Sequence, residues 1–298
     1  MSQLNCKLIN WLAPTLQIHC WGGLGSQLFA WAVVEQCLLE KPNRRISLVL
    51  HTSGVTQRSS ELSALAKIVT VLQIADFKPG EFSPESTPKV KLRGLFRRWV
   101  LLMLRKSKFI LSTEKIEDIK PWTFQLRSHY SRRYIPTKVC ESMFNRLVQM
   151  ELLENSFSEI EDLVGVHYRL GDLLTLENKS YVPHEKIISV IQDLSSQYEL
   201  NRSLIKIHSD SPEVAIQKLS PLRENFTIQL VEQNPWETLS ALLQYKYLVV
   251  TNSKIGIWAI IFKVRLGLPH LIIAPKEMKS DLTLILGRDV YTSNIEFY

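Results

Sequence analysis

The stretch VGVHYRLGDLLTLENKSYVP, residues 164–183, places a histidine and an arginine where a short apolar segment ends. Residues 164–168 have the composition of a buried strand, and Gly171 and Asp172 then turn the chain. A guanidinium is always charged and can bind a phosphate group through two hydrogen bonds. Arg169 is therefore a candidate anion ligand. A salt bridge to Asp172 or to a neighbouring acid is the alternative.

Short apolar segments rich in β-formers alternate with helical segments through the second half of the chain. The strand candidates are residues 164–168, 203–208, 226–231, 247–251 and 270–274, and the helix candidates are 183–198, 212–219, 235–245 and 257–266. This alternation predicts a parallel, doubly wound sheet. Ligands of such sheets bind at the carboxyl ends of the strands. His167, Asp210 and Asn252 lie at or just beyond such ends.

The first half of the chain begins in the same way. Residues 15–20 read as a strand, 21–27 as a glycine-rich loop, and 28–39 as an almost wholly apolar helix that must be buried. An acidic stretch, residues 151–162, precedes the second series of strands and helices. We therefore predict an α/β protein of two Rossmann-like domains, residues 1–160 and 161–298, facing a central cleft.

The glycines of the first loop suit a close approach of the backbone to a ligand. Gly22, Gly23 and Gly25 would let N–H groups reach it, and the following helix directs its positive end there. A simple tight turn is the alternative. The loop has neither the GK[ST] of a Walker A motif nor GxGxxG, so the sequence disfavours ATP or NAD bound by those routes.

Each polar candidate of the second half also has a purely structural interpretation. His167 would be a half-buried histidine, and Asp210 would cap the helix that follows it. Asn252 and Ser253 would form a helix N-cap, and Glu237 would be an acidic charge in the first turn of a helix. Their position at consecutive strand ends of one sheet favours a shared binding site.

Four segments resemble the motifs of the family 11 glycosyltransferases, in the same order and at similar spacing. They are GGLGSQLFAWA, VGVHYRLGD, HSDS and ETLSALLQYKYLVVTNSKIGIWAIIF. The family motifs run approximately GGLGNQ-F-YA, HxRRGD, SDD and D-LM--C---I-NSTFSWW. The resemblance covers residues 15–262 and implies a bacterial-type α-1,2-fucosyltransferase that uses GDP-fucose. It also implies a GT-B fold, with the donor held mainly by the second domain, and a galactose-type acceptor hydroxyl on a surface-polysaccharide precursor.

The resemblance assigns roles to individual residues. Arg169 matches the arginine that binds the β-phosphate of GDP, and His167 would lie beside the nucleotide. Glu237 matches an acid that accepts hydrogen bonds from guanine N1–H and from the 2-amino group. Ser253 matches a serine near the phosphates. The remaining donor-binding candidates are Gly22, Gly23, Gly25, Ser26, Gln27, Asp210 and Asn252.

The chain departs from the family motifs at several positions. These are Ser26 for asparagine, Leu170 for the second arginine, Ser211 for the second acid, and Lys254, Gly256 and Ile257 within the last motif, where Trp258 alone remains of a tryptophan pair. Two alternatives therefore stay open. The donor is another GDP-sugar, or the chain binds a GDP-sugar as a non-catalytic scaffold subunit of a glycan-assembly complex.

The sequence contains no DxD motif, which predicts transfer without a bound metal ion and without a cofactor. Charge on the departing GDP would then be stabilised by Arg169, backbone amides and helix N-termini. The resemblance implies an inverting displacement at C1 of the sugar. Asp172 is the candidate catalytic base for the acceptor hydroxyl, and Glu177 is its competitor.

The positive charge is concentrated in one segment. The net charge is +7, and residues 89–108 carry eight Lys or Arg and no acid. As a helix this segment would place Leu92, Leu95, Phe96, Trp99, Leu102 and Met103 on one face. An apolar face with a basic flank suits an anionic membrane surface. A packed helix with a solvated basic side is the alternative, and nothing else in the chain supports nucleic acid.

The sequence predicts a cytoplasmic protein that associates peripherally with the inner face of the membrane. No apolar run reaches the ~18–20 residues of a membrane span, and the N-terminal residues do not read as a signal peptide. The four cysteines are scattered without metal-ligand spacing, as expected of reduced thiols. The predicted partners are a GDP-sugar donor and an oligosaccharide or lipid-linked glycan acceptor.

Overall fold

The computed structural model describes residues 14–51, 61–74, 99–100, 102–104, 106–111, 116–154, 160–173, 181–200 and 204–298. The contacts divide the chain into two compact units, residues 1–133 and 134–298, which we call unit 1 and unit 2. The domain prediction placed the boundary at residues 160 and 161. The difference is the segment with helix 137–149, which belongs to unit 2 by its contacts.

Unit 1 is built on a five-stranded parallel sheet in the order β3-β2-β1-β5-β4. Its strands are β1 (Leu16–Trp21), β2 (Ile46–His51), β3 (Thr70–Ile74), β4 (Ile110–Leu111) and β5 (Gln125–Arg127). Helix α1 (Leu24–Glu40) follows β1 directly, and every residue from 27 to 37 is buried. A helix that is apolar on all sides must be covered on all sides, which confirms the prediction of a buried helix.

Unit 2 has a six-stranded parallel sheet in the order β11-β10-β9-β6-β7-β8. The strands are β6 (Ile160–Tyr168), β7 (Leu204–Ser209), β8 (Thr227–Val231), β9 (Tyr245–Val250), β10 (Leu271–Ala274) and β11 (Ile295–Phe297). The helices are α2 (Thr137–Gln149), α3 (His184–Tyr198), α4 (Pro212–Lys218), α5 (Pro235–Gln244), α6 (Lys254–Arg265), α7 (Lys279–Leu286) and α8 (Asp289–Thr292). Three strands lie on each side of the boundary between β6 and β9, which is the doubly wound Rossmann order.

Strand β6 shows why the sheet is buried on both faces. Val164, Val166 and Tyr168 point to one side and join the hydrophobic core that includes residues of α3 and β7. Successive side chains of a strand alternate between faces, so Gly165 and His167 point to the other side. There the Tyr245 ring lies directly over Gly165, where a Cβ atom would come within 2.0 Å of the ring.

The structure confirms the α/β class with two Rossmann-like domains, which are the components of a GT-B fold. The strands and helices predicted in unit 2 are all present, with ends shifted by a few residues. Helix α6 begins at Lys254 rather than at residue 257, because Ser253 caps it. The elements after residue 274, α7, α8 and β11, were not predicted. The predicted cleft concerns the placement of the two units and stays a prediction.

Only part of the basic segment 89–108 lies within the described residues. Residues 89–98, with most of the predicted apolar face, lie outside them. The described residues between 99 and 106 are helical, and Trp99, Leu102 and Met103 are 58%, 48% and 46% exposed. None of the helices described by the structure has the length and apolar character required to cross a membrane.

Candidate active site

The ends of β6 and β9 are tied together at the point where the strand order of unit 2 reverses. The backbone N–H of Thr251 donates to the carbonyl oxygen of His167 at 3.1 Å. The Thr251 hydroxyl donates to the same oxygen at 3.1 Å and accepts from the backbone N–H of Arg169 at 2.8 Å. Ligands of doubly wound sheets bind at this reversal point. Arg169 is thus held at the position where doubly wound sheets bind their ligands.

The Arg169 side chain is oriented by Asp210, which follows the neighbouring strand β7. Arg169 Nη1 lies 2.5 Å from Asp210 Oδ2, and the two side chains are 24% and 29% exposed. Asp210 Oδ1 accepts from the backbone N–H of Leu170 at 2.8 Å. The salt-bridge alternative for Arg169 is therefore correct in this structure, with Asp210 as the acid. A guanidinium has five N–H donors, so this ion pair is compatible with an additional anionic ligand.

His167 lies beneath this edge with one ring nitrogen unsatisfied. Its side chain is 6% exposed, and among the described residues Nδ1 has no hydrogen-bond partner. Burial, together with the nearby His208 and Arg169, lowers the pKa of His167 to about 3. A Cβ atom on Gly256, in the first turn of α6, would lie 3.5 Å from Nδ1. The unsatisfied nitrogen therefore faces the N-terminal turn of α6.

Helix α6 directs its N-terminus to the same edge. Ser253 is its N-cap, and the Ser253 hydroxyl accepts from the backbone N–H groups of Ile255 at 3.2 Å and Gly256 at 3.4 Å. The first turn of this 12-residue helix contains no acidic residue. The partial positive charge of the helix N-terminus thus adds to that of Arg169. Asn252 lies just before the cap and lines a small cleft with Lys186 and Tyr298.

Glu237 lies at the far side of the edge, in the first turn of α5. Its Oε2 accepts from the backbone N–H of Asn234 at 3.1 Å, while Asn234 Oδ1 accepts from Glu237 N–H at 2.9 Å. This reciprocal pair is a capping box, which agrees with the helix-terminal interpretation of Glu237. Glu237 also lines a groove of about 800 Å³, together with Trp236 and Lys206.

The glycine turn of unit 1 follows β1, but it is shorter than the predicted loop 21–27, because α1 begins at Leu24 and contains Gly25, Ser26 and Gln27. Gly22 has a φ of 95°, and a Cβ atom there would lie 2.9 Å from Ser26 Oγ. Gly23 is the N-cap of α1, and the N-terminus of this helix therefore has no side-chain cap. The amide of Gln27 is buried and used within the unit, because Nε2 donates to Gly22 O at 2.9 Å and Oε1 accepts from Glu61 N–H at 3.0 Å. Gln27 therefore shapes the loop.

The candidate catalytic base is only partly described. Asp172 lies in a short 3-10 turn, residues 171–173, directly after Leu170, and its side chain is outside the described part. Glu177, its competitor, also lies outside the described residues. The choice between them stays a prediction.

One departure from the family motifs, Leu170, and one retained motif residue, Trp258, are core positions. Leu170 is fully buried and belongs to the hydrophobic core of unit 2. Trp258 is also fully buried, and its ring lies 5.3 Å from that of Phe262. Neither side chain is available to a ligand at the carboxyl edge in this structure. Leu170 therefore contributes packing in place of a charge.

Sequence reasoning missed the contribution of Thr251 and the contact between Gly256 and His167. Thr251 is the polar residue that ends the apolar strand in YLVVT, and such a residue at a strand end is the signal that could have identified it. The contact of Gly256 depends on how α6 crosses the sheet, which has no sequence signal.

Within the described ranges, no group of three or more His, Cys, Asp or Glu side chains is placed to bind a metal ion.

Comparison with known proteins gives similarity in structure only. No family profile matches the chain, and no curated protein matches it. Heptosyltransferase WaaC from E. coli, solved with ADP, has a TM-score of 0.48 and 11% identity over 95% of this chain and 92% of that chain. NodZ α-1,6-fucosyltransferase, soaked with GDP-fucose, has a TM-score of 0.44 and 14% identity over 88% of this chain and 95% of that chain. A family 9 glycosyl transferase from Veillonella parvula has a TM-score of 0.43 and 12% identity over 88% of this chain and 80% of that chain. At these scores the similarities do not assign an activity to the chain.

Proposed function

We propose that the chain is a glycosyltransferase that uses a GDP-sugar, with GDP-fucose as the donor. The observation that carries the proposal is the convergence of Arg169 and the N-terminus of α6 at the strand-order reversal of unit 2. A fixed cation and a helix N-terminus are groups that bind a diphosphate. The four motifs that resemble family 11 lie in the same chain order.

The nucleoside end of the donor is assigned to the groove beside α5. Strand β7 separates β6 from β8, so the ends of β6 and β8 are two strand spacings, roughly 10 Å, apart. A nucleoside diphosphate can extend between two such points. Glu237 would accept from guanine N1–H and the 2-amino group, a pair of donors that adenine does not have on that edge. The capping box uses Oε2 once, and a carboxylate has about four lone-pair sites.

The proposed reaction is an inverting displacement at C1 of the sugar. The acceptor oxygen forms a bond to C1 as the bond from C1 to the β-phosphate oxygen breaks, and the electron pair leaves with GDP. Asp172 is the proposed acceptor of the hydroxyl proton. Arg169 and the partial positive charge at the N-terminus of α6 would stabilise the charge that develops on the phosphate. The proposed product is an α-1,2-linked fucoside on a galactose-type hydroxyl.

Calorimetric titration with GDP, ADP, GDP-fucose and GDP-mannose tests the donor assignment. We expect GDP to bind more tightly than ADP, and GDP-fucose more tightly than GDP-mannose. Preference for GDP-mannose would change the donor, and equal binding of ADP would exclude the guanine assignment.

Donor hydrolysis then separates an enzyme from a binding subunit, because a scaffold binds without turnover. We expect this hydrolysis to continue in EDTA, and a strict Mg²⁺ or Mn²⁺ requirement would contradict the metal-free mechanism.

We also propose that the basic segment 89–108 holds the protein on an anionic membrane, at the cytoplasmic face. The supporting observation is that Trp99, Leu102 and Met103, spaced as one helical face, are about half exposed. Sedimentation with vesicles containing phosphatidylserine should recover the protein, and the double variant Trp99→Ser, Leu102→Ser should remain in solution. Equal recovery with neutral vesicles would remove the electrostatic part of the proposal.

A further inference from the structure

We infer that Asp210 is a positioning residue that acts through Arg169, and that it does not itself bind the diphosphate of the donor. The inference rests on the proposed function and refines it, because the family resemblance placed Asp210 among the donor-binding residues. The evidence is that both carboxylate oxygens of Asp210 contact residues directly after β6. A carboxylate also carries charge of the same sign as a phosphate and offers no hydrogen-bond donor, so it is unsuited to bind a diphosphate directly.

Both oxygens of Asp210 are directed at the same short segment. Oδ2 lies 2.5 Å from Arg169 Nη1, and Oδ1 accepts from the backbone N–H of Leu170 at 2.8 Å. The peptide group between Arg169 and Leu170 and the guanidinium are therefore held by one carboxylate. On the other side, the Thr251 hydroxyl accepts from the backbone N–H of Arg169 at 2.8 Å. The backbone and the head group of Arg169 are thus both fixed by neighbours.

Such fixing matters because a long side chain loses rotamer freedom when it binds. Ordering one rotamer-rich side chain costs roughly 0.5–1.5 kcal/mol at a binding site, which corresponds to about a tenfold change in affinity at its upper end. If Asp210 already orders the Arg169 side chain in the free protein, the entropy of that side chain is not lost when the anion binds. A guanidinium has five N–H donors, and the contact with Asp210 is made through Nη1.

Gly171 shows that the local backbone is adapted to this carboxylate. Its φ is 20°, and a Cβ atom at this position would lie 2.2 Å from Asp210 Oδ2 and 2.9 Å from Asp210 Cγ. Any residue other than glycine would therefore displace the carboxylate or move the turn. Gly171→Ala is a second way to disturb the pair between Asp210 and Arg169 without changing either residue.

A double-mutant cycle between Asp210→Asn and Arg169→Ala tests the inference, with the affinity for GDP and for inorganic pyrophosphate as readouts. Asparagine keeps an oxygen that can accept from Leu170 N–H but removes the charge that holds Arg169. We expect Asp210→Asn to weaken binding about tenfold when Arg169 is present, and less than twofold in the Arg169→Ala background. Gly171→Ala should reproduce the loss. Thermal unfolding of each variant verifies that the fold is kept.

The sign of the effect separates positioning from simple electrostatics. Removing a negative charge beside an anion site would by itself strengthen binding, so a weaker affinity indicates lost positioning. Asp193→Asn is the matched control, because it removes one exposed aspartate charge from α3 of the same unit; it should leave both affinities within twofold. A gain of affinity in Asp210→Asn, or an equal loss in both Arg169 backgrounds, would overturn the inference.

The two ligands distinguish this inference from the proposed function. If the wild type binds pyrophosphate but not GDP, the guanine-nucleotide assignment fails, and the cycle is evaluated on pyrophosphate alone. If the wild type binds neither ligand, the edge is not an anion site and both proposals fail. If GDP binds and the two changes are additive, the proposed function stands and the positioning role of Asp210 is wrong.

Discussion

Each unit brings a strand, a turn and the start of a helix to the carboxyl edge of its sheet, but the two edges carry different groups. In unit 1, β1 is followed by Gly22 and Gly23, and α1 has no side-chain cap. In unit 2, β6 is followed by Arg169, and α6 is capped by Ser253. The first edge offers backbone, whereas the second offers a fixed charge held by a carboxylate.

The two turns require glycine for different reasons. Gly22 has a positive φ and leaves room for Ser26, so the turn of unit 1 depends on backbone freedom. The turn of unit 2 uses Gly171 for a contact, because Asp210 occupies the space of a side chain there. The proposed anion site of unit 2 therefore depends on the side chains at its edge, Arg169 and Asp210. The following predictions test that difference.

The largest effect is expected when the charge of the unit 2 edge is removed. Arg169→Ala should lower GDP affinity roughly tenfold to a hundredfold, since a hydrogen bond to a charged group contributes about 1.5–3 kcal/mol. Turnover of the donor should fall by about 10²–10³, because the guanidinium would act where charge develops. Calorimetry and a donor-hydrolysis assay measure the two quantities. Arg223→Ala, at an exposed arginine of unit 2, is the control that should change neither.

The buried histidines of unit 2 are expected to make its stability depend on pH. Burial lowers the pKa of His208 to about 4, and His208 Nε2 lies 2.7 Å from the Tyr245 hydroxyl. Between pH 6.5 and 4 the unfolded chain binds a proton that the folded chain does not, so stability is lost as pH falls. A shift from 6.5 to about 4 corresponds to at most about 3 kcal/mol.

The variant His208→Gln isolates this contribution. Glutamine can donate to the Tyr245 hydroxyl but cannot become charged, so the free energy of unfolding should differ less from wild type at pH 5 than at pH 7.5. This difference in the free energy of unfolding should be about 2 kcal/mol smaller at pH 5, because each pH unit between 6.5 and 5 contributes about 1.4 kcal/mol. Urea denaturation at the two pH values measures it. A gap that is constant with pH would show that His208 does not resist protonation.

The next prediction separates the capping role of Glu237 from its proposed contact with guanine. In Glu237→Gln the capping box can persist, because glutamine is also accepted at that position, but one acceptor oxygen facing guanine becomes an NH₂ group. GDP affinity should fall about tenfold to a hundredfold, from an unpaired buried donor costing about 1–3 kcal/mol. Calorimetry measures the affinity, and thermal unfolding should show little change.

Inosine diphosphate is the ligand control for Glu237, because it keeps N1–H but lacks the 2-amino group. It should bind the wild type less tightly than GDP, and the difference should shrink in Glu237→Gln. Equal affinities of the two ligands for the wild type would leave Glu237 with its capping role alone.

The smallest effect is expected in the loop of unit 1. Gly22→Ala should destabilise the protein by about 1–2 kcal/mol, because a φ of 95° disfavours an L side chain and Ser26 Oγ would lie 2.9 Å away. Gly23→Ala is the matched control, since no atom lies within 4 Å of its Cβ position and its φ is −75°. Denaturant titration compares the two variants. If Gly23→Ala lowers activity without lowering stability, the loop contributes to function through close approach of its backbone.

Several features of this protein could be predicted from the sequence because they depend on local chemistry. The strand and helix segments of unit 2 follow from apolar alternation, and the Pro and Ser residues at helix starts set the boundaries. The burial of α1 follows from its composition. Arg169, His167 and Asp210 were identified because strand ends of a parallel sheet meet at one edge.

Other features depend on contacts between residues distant in the sequence. The acid that pairs with Arg169 was named as Asp172 or a neighbour, whereas the structure pairs it with Asp210, 41 positions away and directly after the adjacent strand. The role of Leu170 in the core and the contact of Gly256 with His167 also follow from packing. The sequence by itself therefore determined which groups reach the edge of the sheet. Only the tertiary structure decided which of them pair there, because strand order and helix crossing bring together side chains that have no local relation.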